Sequence, residues 1–538
     1  MTFRPSSPPQ GIAVDEYAPS LHPDMSYGSA FQLMKRWYQD CMTGHEQCLH
    51  SLSKRSPSNF QYPTRLIDVG APGSLRWHLR LTSQDPLESI QAGYLTLSHR
   101  WGLSPFLQLT SSVVDEFRGG LPIAQLPKTF RDAALIAHTL GIRYIWVDSL
   151  CIEQDASKED WVSEAPNMHR VYGEARLNII AGYSEDPYGG LFRHRDPLTT
   201  EMIVVEQNNA EGHAILHCSR STTDEFEQAP LMGRGWVFQE RLLAPRILHF
   251  GKNQVYWRCR DLFAGESFPF GIVERSEKPY TAGLGIEWRD AITSNGLQHG
   301  DWLKLWQKMI MDYSRCALTY PEDKLVALSG IAKLAGKILG DRYVAGMWWK
   351  DLAPLLCWYR SMLDQRPVGP RPKTYRAPSW SWASIDNPVA YYPGPRSWRQ
   401  LVKISEAVVK PLDGDETAQL QGGHIKLHGY LIPFKYDTVG RRCTLDSDLG
   451  TALKDVELWI LPMLYDDLPS SGLFECLLLQ QTKANDSVYQ RVGHVGCLVY
   501  GDKFSLEKDL GVQASIDLES GELISSGDEV KYCGITLI

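Results

Sequence analysis

Near the N-terminus, apolar residues recur every three or four positions. Phe31, Met34, Trp37 or Tyr38, Cys41, His45, Cys48 and Leu52 share one face of a single expected helix. Two runs with strand character follow, 64–69 (TRLIDV) and 75–81 (LRWHLRL). The stretch 94–102 (YLTLSHRWG) begins as a buried strand and ends in polar residues and glycine, where a strand emerges into a loop. Over 127–140 the residues Phe130, Ala133, Ala134, Ala137 and Leu140 form a helical apolar face. Thr129 and Asp132 resemble a capping box with Asp in place of Glu, and Gly141 suits a left-handed stop. A strand at 143–148 (RYIWVD) ends in an acid, a helical stretch covers about 163–175, and 177–181 (LNIIA) reads as a third strand.

Strand, helix, strand, helix, strand within roughly 90 residues is the pattern of a parallel sheet with crossover helices. Such sheets bind ligands beyond the carboxyl ends of their strands. Those ends carry Ser98, His99, Arg100 and Trp101, then Asp148 and Ser149, then Gly182 and Tyr183. More strands are expected at 202–205, 214–218 and 235–241 (GWVFQER), and a hairpin over 246–250 and 254–259 turning at Gly251-Lys252-Asn253. A helical region covers about 300–362, and 400–538 reads as a separate all-β domain. The expected organisation is therefore a Pro- and Ser-rich disordered stretch 1–26, a helix and β lead-in 27–93, an α/β core 94–260, a helical region with a Trp-rich junction 261–399, and the β-rich 400–538. The Trp380-Ser381-Trp382 segment is expected to pack where the junction meets the core.

Charge removes some functions. The 538 residues carry a net charge of −8 and no long basic cluster, which argues against nucleic acid as a partner. No segment is apolar enough for a secretory signal or a membrane span, so a cytoplasmic protein is expected. Eleven cysteines without a signal and without a C-x-x-C pair point to reduced thiols. Cys41-x3-His45-x2-Cys48, with His50 nearby, has zinc-ligand residue types. The same spacing is simply the helical face, and the usual paired-Cys partner is missing, so no metal site is assigned.

Three blocks, 94–102 (YLTLSHRWG), 126–155 (LPKTFRDAALIAHTLGIRYIWVDSLCIEQD) and 234–248 (RGWVFQERLLAPRIL), closely resemble the signature blocks of the fungal heterokaryon incompatibility (HET) domain. Flanking pieces agree, among them the Cys-His-Cys helix, GGLF at 189–192, DKLVALSGIA at 323–332 and APSWSWASID at 377–386. The resemblance implies an α/β core, distantly similar to Toll/interleukin-receptor (TIR) domains, and a cell-death effector of non-self recognition. It also implies protein partners or triggers, with self-association as an option. Some TIR domains cleave NAD, which makes NAD a candidate substrate while no bound cofactor is expected. The chain departs from the family at His99-Arg100, often Tyr-Cys, at Glu153, often Asn, and at Pro166. If Ser163 caps the helix, Pro166 sits in its first turn; if the helix starts earlier, Pro166 kinks it.

Breaking a ribosyl–nicotinamide bond passes through an oxocarbenium-like state that a carboxylate can stabilise. Asp148, Glu164 and Glu240 are the candidate catalytic acids, with Ser98, Arg100 and Trp101 to hold phosphate, ribose or base. Each has a bland alternative: a loop cap for Asp148, a helix-start charge for Glu164, a salt bridge to Arg234 or Arg241 for Glu240, and a stacked Arg100–Trp101 pair. Glu153 is a weaker candidate, and Cys151 reads as core. No G-x-S-x-G elbow, G-x-G-x-x-G or Walker loop occurs. An NAD-hydrolysing enzyme and a non-catalytic signalling module both stay open.

Overall fold

Nine strands form one mixed sheet in the N-terminal half: β1 (Arg65–Asp68), β2 (Arg76–Leu81), β3 (Tyr94–Ser98), β4 (Leu121–Pro122), β5 (Tyr144–Val147), β6 (Leu177–Ile180), β7 (Ile247–Phe250), β8 (Val255–Arg258) and β9 (Phe263–Gly265). Their order is β9-β8-β7-β6-β3-β5-β1-β2-β4. At the centre, β3 runs parallel to β5 and β6, and β7 runs parallel to β6. The expected parallel sheet therefore exists, bordered on both sides by antiparallel strands. Every residue of β3, β5, β6 and β7 is buried, as strands covered on both faces require.

This computed structural model describes residues 4–6, 21–53, 61–85, 93–155, 159–195, 203–206, 213–217 and 225–272. Further on it describes 299–363, 366–392, 398–434, 443–448, 457–468, 471–482, 487–500, 504–505, 514–516, 523–525 and 531–538, with four isolated positions besides. The chain divides into two compact units, 1–295 and 296–538, so residues 296–399 belong to the same unit as the β-rich stretch.

The described part of the first unit also carries eight α-helices, α1 (Gly28–Thr43), α2 (Glu46–Ser53), α3 (Val114–Gly119), α4 (Lys128–Leu140), α5 (Asp148–Cys151), α6 (Glu159–Glu164), α7 (Met168–Glu174) and α8 (Gly235–Leu243), and a separate three-stranded sheet. Side chains alternate along a strand, so Thr96 and Ser98 face opposite to Leu95 and Leu97. Helix α7 covers the Thr96 face: Tyr94 donates its hydroxyl to the Val171 carbonyl at 2.7 Å, and Tyr172 meets Trp146 edge-on. Helix α1 covers the other face, where Trp37 stacks on Trp257 of β8.

Several expectations need correction. Residues 235–241 are helix, not strand. Gln239, Glu240, Arg241, Leu242 and Leu243 are strong helix formers, and a short apolar run does not reveal its period. The long N-terminal helix breaks at Gly44, whose N–H closes on the Asp40 carbonyl at 2.8 Å. Thr129 and Asp132 do not cap α4. They accept the N–H groups of Gly190 and Leu191 at 3.0 and 2.8 Å, tying the GGLF turn to the helix start. Pro166 lies in a 3₁₀ turn, Ala165–Asn167, between α6 and α7. Gly141 does end α4 in the left-handed region, φ 70°. Within the stretch expected to be disordered, Arg4–Ser6 pairs with His213–His217, Met25 is buried, and Arg195 donates to the His22 carbonyl at 2.7 Å. Much of residues 1–20 lies outside the described residues.

In the second unit, helices His299–Tyr313 and Val326–Leu339 precede a β-rich region. Its strands pair in a ring: Leu420–Phe434 with Leu458–Leu468, then Ser471–Gln481, Val488–Tyr500 and Lys531–Leu537, which returns to the first. The result is barrel-like. Arg491 and Asp446 form a fully buried ion pair at 3.0 Å, and the Arg491 guanidinium lies over Trp358. Trp380 and Trp382 are fully buried, and their hydrogen bonds are to Trp358 and Gly346 of the same unit.

Candidate functional site

A line of polar side chains runs through the otherwise apolar centre of the sheet. Thr96 donates to the Asn178 side-chain oxygen at 3.0 Å, Asn178 donates to the Ser98 hydroxyl at 3.0 Å, and Ser98 donates to the Glu240 carboxylate. All four are buried. Buried polar groups persist when each finds a partner, and here each link satisfies the next. The line ends at the carboxyl end of β3, where Glu240 arrives from α8.

Glu240 holds its proton unusually well. Burial raises its pKa to about 7, and the neighbouring Asp148 charge adds to the rise. Hydrogen bonds from Ser98 and Tyr172 and the positive charge of Arg234 pull the other way. The expected salt bridge is not made. Arg234 donates instead to the His99 carbonyl at 3.1 Å, and Arg241 pairs with Glu227 at 3.3 Å.

Asp148 starts α5 at the end of β5 and accepts the Ser149 N–H at 2.7 Å, so the loop-capping role is present. Its side chain also remains 30 % exposed and accepts the Trp101 indole N–H at 3.0 Å. Trp101 can hold this position because Gly102 follows it at φ 68°, a conformation costly for other residues, and a Cβ there would strike Asp186. The His99 ring lies 3.6 Å from Asp148 and edge-on to Phe130. Burial lowers the pKa of that ring, against the pull of the Asp148 charge. Arg100 is half-buried and forms no hydrogen bond or ion pair with a described residue. The stacked Arg100–Trp101 pair is therefore not seen; Trp101 instead meets Phe106 edge-on.

Thus Ser98, Trp101, Asp148 and Glu240 come together, although the three sequence blocks that supply them are far apart. Glu164 does not join them by any hydrogen bond or ion pair. It is buried on α6 and accepts the Thr64 hydroxyl at 2.6 Å. Beside it, Arg65 pairs with Asp160 at 2.9 Å and with Glu153 at 2.7 Å. Burial raises the Glu164 pKa, and Asp160 adds to the rise. Cys151 is fully buried, with its thiol pushed up to about 12 by burial, so it packs as core.

Sequence reasoning missed Asn178, Tyr172 and the His99 contact. Asn178 carried a readable signal, an amide in the middle of an apolar strand, which needs a buried partner. Tyr172 carried none, because nothing in its helix distinguishes it from a packing tyrosine.

A second cluster lies elsewhere in the unit. Cys41, His45, Cys48 and Cys259 bring one potential ligand atom each to within 4.8 Å of one another. Among the described residues no helix is long and apolar enough to cross a membrane.

No curated protein and no solved structure matches the chain. Residues 94–240 match the family model described as heterokaryon incompatibility protein (HET), and that span takes in Ser98, Asp148, Glu164 and Glu240. Residues 94–240 are thus a HET domain, which indicates a heterokaryon-incompatibility-related function.

Proposed function

We propose that the protein is a cytoplasmic cell-death effector of fungal non-self recognition whose HET domain hydrolyses the glycosidic bond of a nicotinamide dinucleotide. The observation that carries this reading is two neighbouring acids beside the carboxyl ends of parallel strands, Asp148 after β5 and Glu240 on α8 against Ser98 of β3. One, Glu240, keeps its proton to about neutral pH; the other, Asp148, is partly exposed. The kinship suggested between HET and TIR domains supplies the substrate by analogy.

In this reading the C1′–N bond breaks and its electron pair leaves with nicotinamide. The Asp148 carboxylate stabilises the oxocarbenium-like centre. Water adds at C1′ and gives its proton through the Ser98 hydroxyl to ionised Glu240, a base whose pKa suits neutral pH. Trp101 offers an aromatic face, and the Arg100 guanidinium, without a hydrogen-bond or ion-pair partner among the described residues, can pair with phosphate oxygens. Glu164 supports the site from the neighbouring cluster.

One observation favours a second reading, a non-catalytic module that assembles with protein partners or with itself. Glu240 is only 6 % exposed and already bonded to Ser98, as a structural acid would be. Incubating the purified full chain with NAD and following nicotinamide separates the two. The enzyme releases nicotinamide, and Asp148→Asn or Glu240→Gln stops it while the protein stays folded. The module kills cells without consuming NAD.

A further inference from the structure

The Cys41-x3-His45-x2-Cys48 spacing lacked a fourth partner in the sequence, and the fold supplies one. Cys259 follows β8, and its N–H closes a tight turn onto the Leu262 carbonyl at 2.9 Å. Its sulfur lies 3.2 Å from His45 Nδ1, although the two residues are 214 positions apart. The break at Gly44 shapes the other side. Cys41 is in the last turn of α1, His45 in the link, and Cys48 in α2, so three ligands face the same point. All three sulfurs belong to buried residues, and His45 is half-buried.

We propose that Cys41, His45, Cys48 and Cys259 form a structural zinc site that clamps the N-terminal helix pair to the β8–β9 turn. Three thiolates and an imidazole select a soft, tetrahedral ion. Ligand atoms around zinc stand ~3.8 Å apart for Zn–S bonds of ~2.3 Å, a spacing the cluster nearly has without rearrangement. With four protein ligands no position remains for substrate, so the role is structural. The surroundings fit the charge. Zn²⁺ with three thiolates carries one net negative charge, and the buried Arg246 donates Nε–H to the Cys41 sulfur at 3.0 Å. Asp261 accepts the Cys48 N–H at 3.0 Å and fixes that ligand's backbone. All four ligands lie outside residues 94–240, so the clamp ties the lead-in to the strands that follow the matched span.

The test is the metal content of the full chain, purified from zinc-supplemented cells under reducing conditions and measured by plasma mass spectrometry. One zinc per chain is expected, released when a mercurial blocks the thiols. Stripping it with a strong chelator should lower the melting temperature by on the order of 10 °C, restored by added zinc. Cys259→Ser and His45→Ala should lose the metal, while Cys357→Ser, a buried thiol of the second unit, should keep it. If Cys259→Ser is insoluble, the wild-type chain loaded with cobalt reads the ligands directly, through the visible bands of tetrahedral thiolate coordination. Folded wild-type protein without stoichiometric metal, and with melting indifferent to zinc, would overturn the site. So would a disulfide between any two of the three cysteines in protein handled under reducing conditions.

Discussion

Glu240 and Glu164 are both buried, both accept a hydroxyl group, and both have raised pKa values, yet their settings differ. Glu164 sits beside Arg65, whose guanidinium is shared between Asp160 and Glu153, so its neighbourhood is a network joining β1 to α6. Glu240 has no ion-pair partner among the described residues; the charges that act on it are another acid, Asp148, and Arg234, whose hydrogen bond goes to a carbonyl. Burial alone therefore does not mark a reactive acid. What separates the two is whether a cation network has absorbed the charges around them and whether an exposed acid stands next door.

The largest expected effect comes from breaking the Arg65 network. Arg65→Met leaves Asp160, Glu153 and Glu164 without their common cation, and should cost about 3 kcal/mol in urea unfolding. A loss below about 1 kcal/mol would mean these ion pairs are ordinary surface pairs and the contrast is overdrawn.

Next comes the pH dependence of Glu240. Its folded pKa, about 7, lies above the ordinary 4.5, so the folded state binds the proton more tightly. The resulting stability is fully present below pH 4.5 and is lost as pH rises toward 7, a change on the order of 3 kcal/mol. Glu240→Gln mimics the protonated form. It should be more stable than wild type at pH 8 and equal to it at pH 4, measured by thermal unfolding across that range. Glu164→Gln should show the same sign with a smaller amplitude. Equal amplitudes would erase the distinction between the two acids.

The smallest effect tests the rim. Trp101→Phe removes the indole donor to Asp148 while keeping an aromatic ring, and should cost about 1 kcal/mol. An unchanged melting temperature would show that the Trp101–Asp148 bond does not hold the strand exit in place.

Much of the scaffold was legible because the strands at 94–98, 143–148 and 177–181 are apolar runs bounded by clear stops. The helix at 235–243 was not, since its short alternation fits either period, and the difference matters because a helix is what delivers Glu240 to Ser98. Asp148 and Ser98 could be placed at strand ends from pattern alone. The Glu240 setting could not, because desolvation depends on which helix covers the polar face. Cys259 was equally hidden: nothing near it in sequence announces a ligand, and only the fold carries it to Cys41, His45 and Cys48.

Nicotinamide release from NAD as a function of pH decides whether Asp148 and Glu240 form the hydrolytic site proposed above. Release by the wild-type chain should rise as pH passes through about 7, where Glu240 ionises, and Asp148→Asn should release none. Folded wild-type protein that releases no nicotinamide between pH 5 and 9, or an Asp148→Asn chain as active as wild type, would contradict it.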